Sequence, residues 1–244
     1  MSAPRPLAAL SALDTERWRT VTAKASDVTG ETLSPVLEFC RQNTVRLLIA
    51  RCAASELTGA QAMEAAGFQL MDTLVFYSRA VTDVLPDEAA ALPIRTHKTG
   101  DEAGVRAVAA QAFAGYQGHY HADPRLDQRQ CDELYVDWAY RSCLSREIAN
   151  AVLVAESDAR IAAFATLRLN SAEEGEGVLF GVAPAAQGRG IYRSLMLAGM
   201  RWCKAQGCSR MVVSTQLTNL AVQKVWSRLG FEPSSACYTF HKWF

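Results

Sequence analysis

The stretch VLFGVAPAAQGRGIYRSLM, Val178 to Met196, constrains this chain most, because it places a β-branched and aromatic run, a glycine turn and an amphipathic helix in direct succession. Val178 to Val182 reads as a strand, and from Ile191 the residues Leu195, Ala198 and Trp202 recur at helical spacing. Gln187-Gly188-Arg189-Gly190 therefore occupies a strand-to-helix turn. Glycine at 188 and 190 opens backbone angles that other residues avoid and lets a ligand approach the main chain. The first turn of the helix adds unpaired N–H groups and the positive end of a dipole. Together these features make a phosphate cradle, and Arg189 contributes a charge to it. The turn is neither a P-loop, since G-x-x-x-x-G-K-[ST] is absent, nor a Rossmann G-x-G-x-x-G.

Any anion site must be local. Twenty-five basic residues balance twenty-five acidic ones, so no long-range field holds nucleic acid or an anionic membrane. No apolar run approaches the ~18 residues of a membrane span. The seven cysteines are an odd number in apolar contexts with no C-x-x-C pair, which points to reduced thiols and a cytoplasmic protein. No zinc site is expected either, because His119 and His121 lack a third ligand at a suitable spacing.

The pattern predicts a strand over Thr44 to Cys52, a short helix, and a strand over Phe68 to Val81. The same order recurs at the C-terminus: a strand over Ser209 to Gln216, a helix over Asn219 to Phe231, and a strand over Ser235 to Phe244. Both helices end in Gly-Phe, at Gly67-Phe68 and Gly230-Phe231, where glycine can stop a helix in the left-handed conformation. The match reads equally as a degenerate internal repeat or as a common unit met twice. Thr82 to Arg95, with two prolines and acidic residues, reads as a linker. It divides the chain into a smaller N-terminal α/β domain (1–90) and a second domain (91–244). The second domain opens with helices near 101–114 and 130–145, separated by the polar, broken segment GYQGHYHADPRLD. Strands follow, the first two joined at Asp158-Ala159 as in an antiparallel hairpin. The expected class is α/β (α+β), a mixed and mostly antiparallel sheet flanked by helices.

The turn fits a longer pattern, V-x-P-x-x-Q-G-x-G-I/L, at Val182, Pro184, Gln187, Gly188, Gly190 and Ile191. A second signature, an asparagine followed by a helix and Gly-Phe, stands at Asn219, Ala221, Leu229, Gly230 and Phe231. On these two motifs the sequence resembles the GCN5-related N-acetyltransferases (GNAT). The resemblance implies a GNAT fold behind a truncated, GNAT-like N-terminal half, with acetyl-CoA as acyl donor. It also implies that Phe180, Gly181 and Val182 pair with the pantetheine arm, that Gln187, Gly188, Arg189, Gly190, Ile191 and Tyr192 meet the pyrophosphate, and that Asn219 touches the pantetheine or phosphate region. An amine would attack the thioester directly, with most of the acceleration from positioning.

Many members of that family carry a tyrosine seven residues after the asparagine to protonate the departing thiolate, and this chain has Trp226 there. An indole N–H is a donor but no practical acid. Either water or another residue protonates the thiolate, with Tyr192 and Tyr238 as substitutes, or Trp226 only shapes the pocket. On the acceptor side, His119 or His121 would take the ammonium proton, and Tyr120, His121, Asp123 and Arg125 would bind the acceptor. A solvated loop is the plain alternative for these residues.

The half-repeat, the His-x-x-Asp-Pro loop and the C-terminal signature resemble the TDP-fucosamine acetyltransferase group, which implies a nucleotide-linked amino sugar as acceptor and a place in polysaccharide biosynthesis. Arg125 and Arg129 would then be candidates for the acceptor's diphosphate. The alternatives are a peptide, protein or small-amine N-acetyltransferase, or a non-catalytic acyl-CoA-binding module. The N-terminal unit, which lacks a Gln-Gly-x-Gly turn, is expected to hold no coenzyme. The terminal strand YTFHKWF could pair across a homodimer or lie inside the sheet.

Overall fold

The computed structural model describes residues 6–81, 84–86 and 90–244. Its strands are β1 (Ala8–Leu10), β2 (Thr22–Ala25), β3 (Leu47–Ala53), β4 (Gln69–Ala80), β5 (Ile94–Thr96), β6 (Ala151–Ser157), β7 (Arg160–Leu169), β8 (Glu174–Val182), β9 (Arg210–Gln216) and β10 (Glu232–Trp243). Its helices are α1 (Ala12–Trp18), α2 (Leu33–Gln42), α3 (Leu57–Ala65), α4 (Glu102–Ala112), α5 (Gln128–Leu144), α6 (Ile191–Ala205) and α7 (Leu220–Arg228). The strands form one ten-stranded sheet in the order β1-β2-β3-β10-β4-β9-β8-β7-β6-β5. Only β2–β3 and β8–β9 run parallel, so the sheet is mixed and mostly antiparallel as expected.

Alternation along each strand divides the core between the two faces. Leu48, Ala50 and Phe240 pack with α2 and α3, and Met211 and Val213 with α6 and α7. Leu47, Ile49, Phe164 and Leu179 turn to the other face, which α4 and α5 cover. At the β6–β7 hairpin, Asp158 (φ 49) and Ala159 (φ 58) both take the left-handed conformation that two-residue hairpin turns require.

The order β2-α2-β3-α3-β4 recurs as β8-α6-β9-α7-β10, which favours the repeat reading. Each unit gives its last strand to the other: β10 lies between β3 and β4, and β4 lies between β10 and β9. The helix stops correspond as well, at Gly67 (φ 80) after α3 and Gly230 (φ 77) after α7. Each exchanged strand brings a cation to the other unit's helix end. Lys242 Nζ on β10 donates to Ala66 O at 2.7 Å, and Arg79 on β4 donates to Leu229 O. Both cations meet carbonyls that a helix C-terminus leaves unpaired, where its dipole favours positive charge. Because β10 is paired on both edges, the expected route to a homodimer through this terminal strand is closed. The linker is partly outside the described residues (82, 83 and 87–89), as is the stretch bordering the expected boundary near residue 90. Beyond it, Ala91 N donates to Ser194 Oγ at 3.0 Å, tacking the chain onto α6.

Candidate active site

The coenzyme side begins with a defect in β8. Its register against β7 shifts at Val178, passing from Thr166↔Leu179 to Leu167↔Gly177. The Leu179 N–H displaced by this bulge donates to Thr166 Oγ1 at 3.0 Å in the buried interior. The parallel pairing of β8 with β9 stops at the same place, at Gly177↔Val213. Beyond it the two strands part. Leu179 and Ala183 spend their N–H groups toward β7, on Thr166 Oγ1 and on Ala162 O at 2.9 Å. The alternate residues Phe180 and Val182 therefore turn their backbone groups into the gap. Gly181 lies flat over Phe164, where a Cβ would come within 2.5 Å of the ring.

After a 3-10 turn over Pro184–Ala186, the chain reaches Gly188 (φ 74) and Gly190 (φ 76), exposed on either side of Arg189. Gly190 is the N-cap of α6, and no side chain caps the helix. Its first-turn N–H groups are left without a side-chain partner, the arrangement that suits a helix N-terminus to an anion. Ile191 is buried beneath the turn, and Gln187 Nε2 donates to Val182 O at 3.3 Å. Asn219 caps α7 through its backbone while its Nδ2 donates to Thr215 Oγ1 at 3.0 Å. The N-terminal unit has no such gap, because β2 pairs with β3 from Thr22↔Leu47 to Ala25↔Ala50 and Val28 N continues onto Arg51 O at 2.9 Å.

Trp226 is buried, its ring lies 5.4 Å from that of Tyr77 at a 56° tilt, and it donates its indole N–H to Tyr192 Oη at 2.9 Å. Burial pushes the Tyr192 phenol well above its usual value, so it holds its proton firmly and is suited to give a hydrogen bond. Tyr238 is not brought to this region. It belongs to the N-terminal core on the face of α2 and α3, with its ring 6.3 Å from Phe240.

On the opposite face, the 115–127 loop closes over the sheet. Tyr116 donates its hydroxyl to Gln216 Oε1 at the end of β9. His121 accepts from Gly118 N at 3.2 Å through Nδ1 and contacts Asp132 at 3.2 Å through Nε2, so both ring nitrogens are committed. Tyr120 is buried and donates to Asp14 at 2.9 Å. Asp123 is buried too, and its Oδ2 accepts from His241 Nδ1 at 2.7 Å and Trp243 Nε1 at 2.8 Å. The expected acceptor-binding residues Tyr120 and Asp123 thus hold the loop to α1 and β10, while Arg125 stacks over Trp243 at 5.5 Å.

Asp123, His241 and His119 lie in hydrogen-bonded succession. Burial acts against the Asp123 carboxylate, but the bonds from His241 and Trp243 outweigh it and hold Asp123 below its usual range. An ionised Asp123 places the His241 proton on Nδ1. His241 Nε2 and His119 Nδ1 lie 2.9 Å apart, and His119 Nε2 has no partner among the described residues. Burial first, and then the charges of His241 and Arg51, push His119 well below 6.5. The fold therefore keeps His119 neutral, whereas the unfolded chain takes up a proton as the pH falls through 6.5. Stability should be complete above that pH and decline below it, by up to about 1.4 kcal/mol per pH unit for one proton. Denaturant titrations from pH 7 to 5 should show this slope for the native chain and a shallower one for His119→Phe. Equal slopes would place the proton uptake elsewhere.

The bulged strand, the gap beyond it and the glycine turn at a helix N-terminus, set in this sheet, define the GNAT fold. Residues 113–231 match the family model described as "Acetyltransferase (GNAT) family". In sequence, the chain is 32% identical over 142 residues to a mycothiol acetyltransferase of Saccharopolyspora erythraea, covering 57% of this chain and 43% of the relative. It is 30% identical over 132 residues to that of Streptomyces avermitilis, covering 54% and 39%. The chain thus spans less than half the length of these curated relatives. In fold, it superposes on a GCN5-related N-acetyltransferase from Sphaerobacter thermophilus with a TM-score of 0.66 at 14% identity, covering 97% of this chain and 76% of that one. A tandem GNAT protein from the clavulanic acid biosynthesis pathway gives 0.63 at 14% identity, with coverages of 91% and 75%. Among the described residues no group of His, Cys, Asp and Glu could hold a metal ion, and no helix is long and apolar enough to cross a membrane.

Proposed function

We propose that this chain transfers an acetyl group from acetyl-CoA to the amino group of a small molecule by direct attack on the thioester. The opening between β8 and β9 beyond Gly177↔Val213 carries this reading, because it leads directly to the glycine turn at the start of α6. The Phe180 and Val182 backbone groups would pair with the pantetheine amides and polarise the thioester carbonyl. The turn over 188–190 would hold the pyrophosphate. Tyr192, oriented by Trp226, would give a hydrogen bond to the departing sulfur, which takes its proton from water. Of the two loop histidines, His119 alone has a ring nitrogen without a partner among the described residues and would contact the acceptor amine there, the amine's proton passing to water.

For the acceptor, the architecture read from the sequence supports a nucleotide-linked amino sugar, used in the cytoplasm. The relatives named mycothiol acetyltransferase support a mycothiol-type acceptor as the second reading. Thiol release from acetyl-CoA should be assayed against nucleotide-linked amino sugars, a mycothiol-type amine, polyamines and peptides. Turnover confined to the nucleotide sugars supports the first reading, and turnover confined to the mycothiol-type amine supports the second. Turnover on peptides alone overturns the small-molecule acceptor. Tight acetyl-CoA binding with no thiol release from any amine overturns acyl transfer and leaves a binding module.

A further inference from the structure

Three polar side chains form a row across the centre of the sheet with their hydrogen-bonding capacity unspent. Thr239 on β10 stands directly opposite Arg51 on β3 and directly opposite Asp72 on β4. Arg51 follows Leu47 and Ile49 at alternate positions, so the row lies on the face covered by α4, α5 and the 115–127 loop. Arg51 Nε, Thr239 Oγ1 and both carboxylate oxygens of Asp72 are buried and have no partner among the described residues. Arg51 and Asp72 flank Thr239 without closing an ion pair. More than about nine in ten buried polar groups find a partner, because an orphan forfeits its hydrogen bonds to water with nothing in return. Four orphaned atoms in one row are therefore not accounted for by the fold.

The row also lies beside the end of β9, where the gap opens. Leu74, two residues beyond Asp72, pairs with Gln216 at the end of β9, on the edge of the gap, and Leu217 N donates to Thr73 O at 2.8 Å. Tyr116 and Tyr135 overhang it: burial raises both phenols, Tyr116 to about 12, and the Asp72 charge adds to each shift. Arg51 is near enough to act on His119 and Tyr135.

We propose that Asp72 binds the ammonium group of the acetyl acceptor while Arg51 and Thr239 bind its hydroxyl or anionic oxygens, so that strands β3 and β4 of the N-terminal unit, with β10 between them, select a primary amine rich in oxygen. This rests on the acetyl-transfer reading for its kinetic consequence, but the binding site can be tested without it.

The full-length chain and its Asp72→Asn, Arg51→Gln and Thr239→Val variants are the material. With an acceptor in hand, Asp72→Asn should raise the acceptor KM at least tenfold and Arg51→Gln severalfold, with the acetyl-CoA KM unchanged within twofold. Thermal unfolding of the ligand-free variants should occur at or above the native Tm, since orphaned groups have been removed. A lowered Tm with an unchanged acceptor KM would mean a structural network and overturn the proposal, as would KM values within twofold of native in all three variants. Independently of turnover, glucosamine should raise the native Tm more than either propylamine or glucose, and Asp72→Asn should lose that rise. Equal protection by propylamine overturns the oxygen-binding half, and no protection by any amine overturns the site. If acetyl-CoA itself failed to bind, the acetyl-transfer reading would fall while the glucosamine result still decided this one.

Discussion

Gly190→Val should weaken acetyl-CoA binding at least a hundredfold, measured by calorimetric titration of the free enzyme. Gly190 holds φ 76 at the N-cap of α6, and a Cβ there meets nothing within 4 Å, so the empty protein loses only the conformational cost of about 1–2 kcal/mol. The larger loss is the ligand's. A side chain at this point covers the first-turn N–H groups, and hydrogen bonds to a charged phosphate contribute about 1.5–3 kcal/mol each. Gly207 separates the two effects: it lies beyond the other end of α6 at φ 85, also with nothing within 4 Å of a Cβ. Gly207→Val should match the stability loss and leave the affinity untouched. If Gly190→Val bound acetyl-CoA within threefold of native, the turn would not be the phosphate site.

A chain cut to residues 91–244 should fail to fold as a monomer, although it contains the whole stretch that matches the family. It would lack β4, which pairs with β9 from Leu74↔Gln216 to Ala80↔Arg210 and with β10 from Glu232↔Ser78 to His241↔Gln69. It would also lack β3, leaving β10 with two bare edges and β9 held only by its pairing with β8 from Arg210 to Val213. The α7 end would lose Arg79. Circular dichroism and size-exclusion chromatography should show an unfolded or aggregated product, and co-expression with the N-terminal segment should restore a soluble complex. A cooperative, monomeric 91–244 fragment would show that the exchanged strands are dispensable.

Local features were legible in the sequence because they depend on local chemistry. The strand, glycine turn and helix around Gly188 were marked by residue type and period, and so were the Gly-Phe helix stops and the Asp158-Ala159 hairpin. The exchange of β4 and β10 was not, since an alternating strand presents the same pattern whichever neighbour it meets. The first forty residues carried no strong period and yielded no prediction, yet they form β1, α1, β2 and most of α2. In the site, the two loop histidines were visible as polar residues in a broken segment. His241, which orients His119 from 122 positions away, looked like any residue of an apolar terminal strand. Arg51, Asp72 and Thr239 were hidden for the same reason. Each reads as the polar member of an alternation, and only the register across three strands makes them a row.

The exchanged strands also have a mechanical consequence. Two lobes joined by a linker can hinge apart to admit a substrate, but here each lobe is threaded through the other like a domain-swapped dimer fused into one polypeptide. Such an arrangement cannot open without breaking sheet hydrogen bonds. A motion that separated the two units would have to break the pairing of β4 with β9 and β10 and of β10 with β3, so the sheet acts as one rigid floor beneath the 115–127 loop.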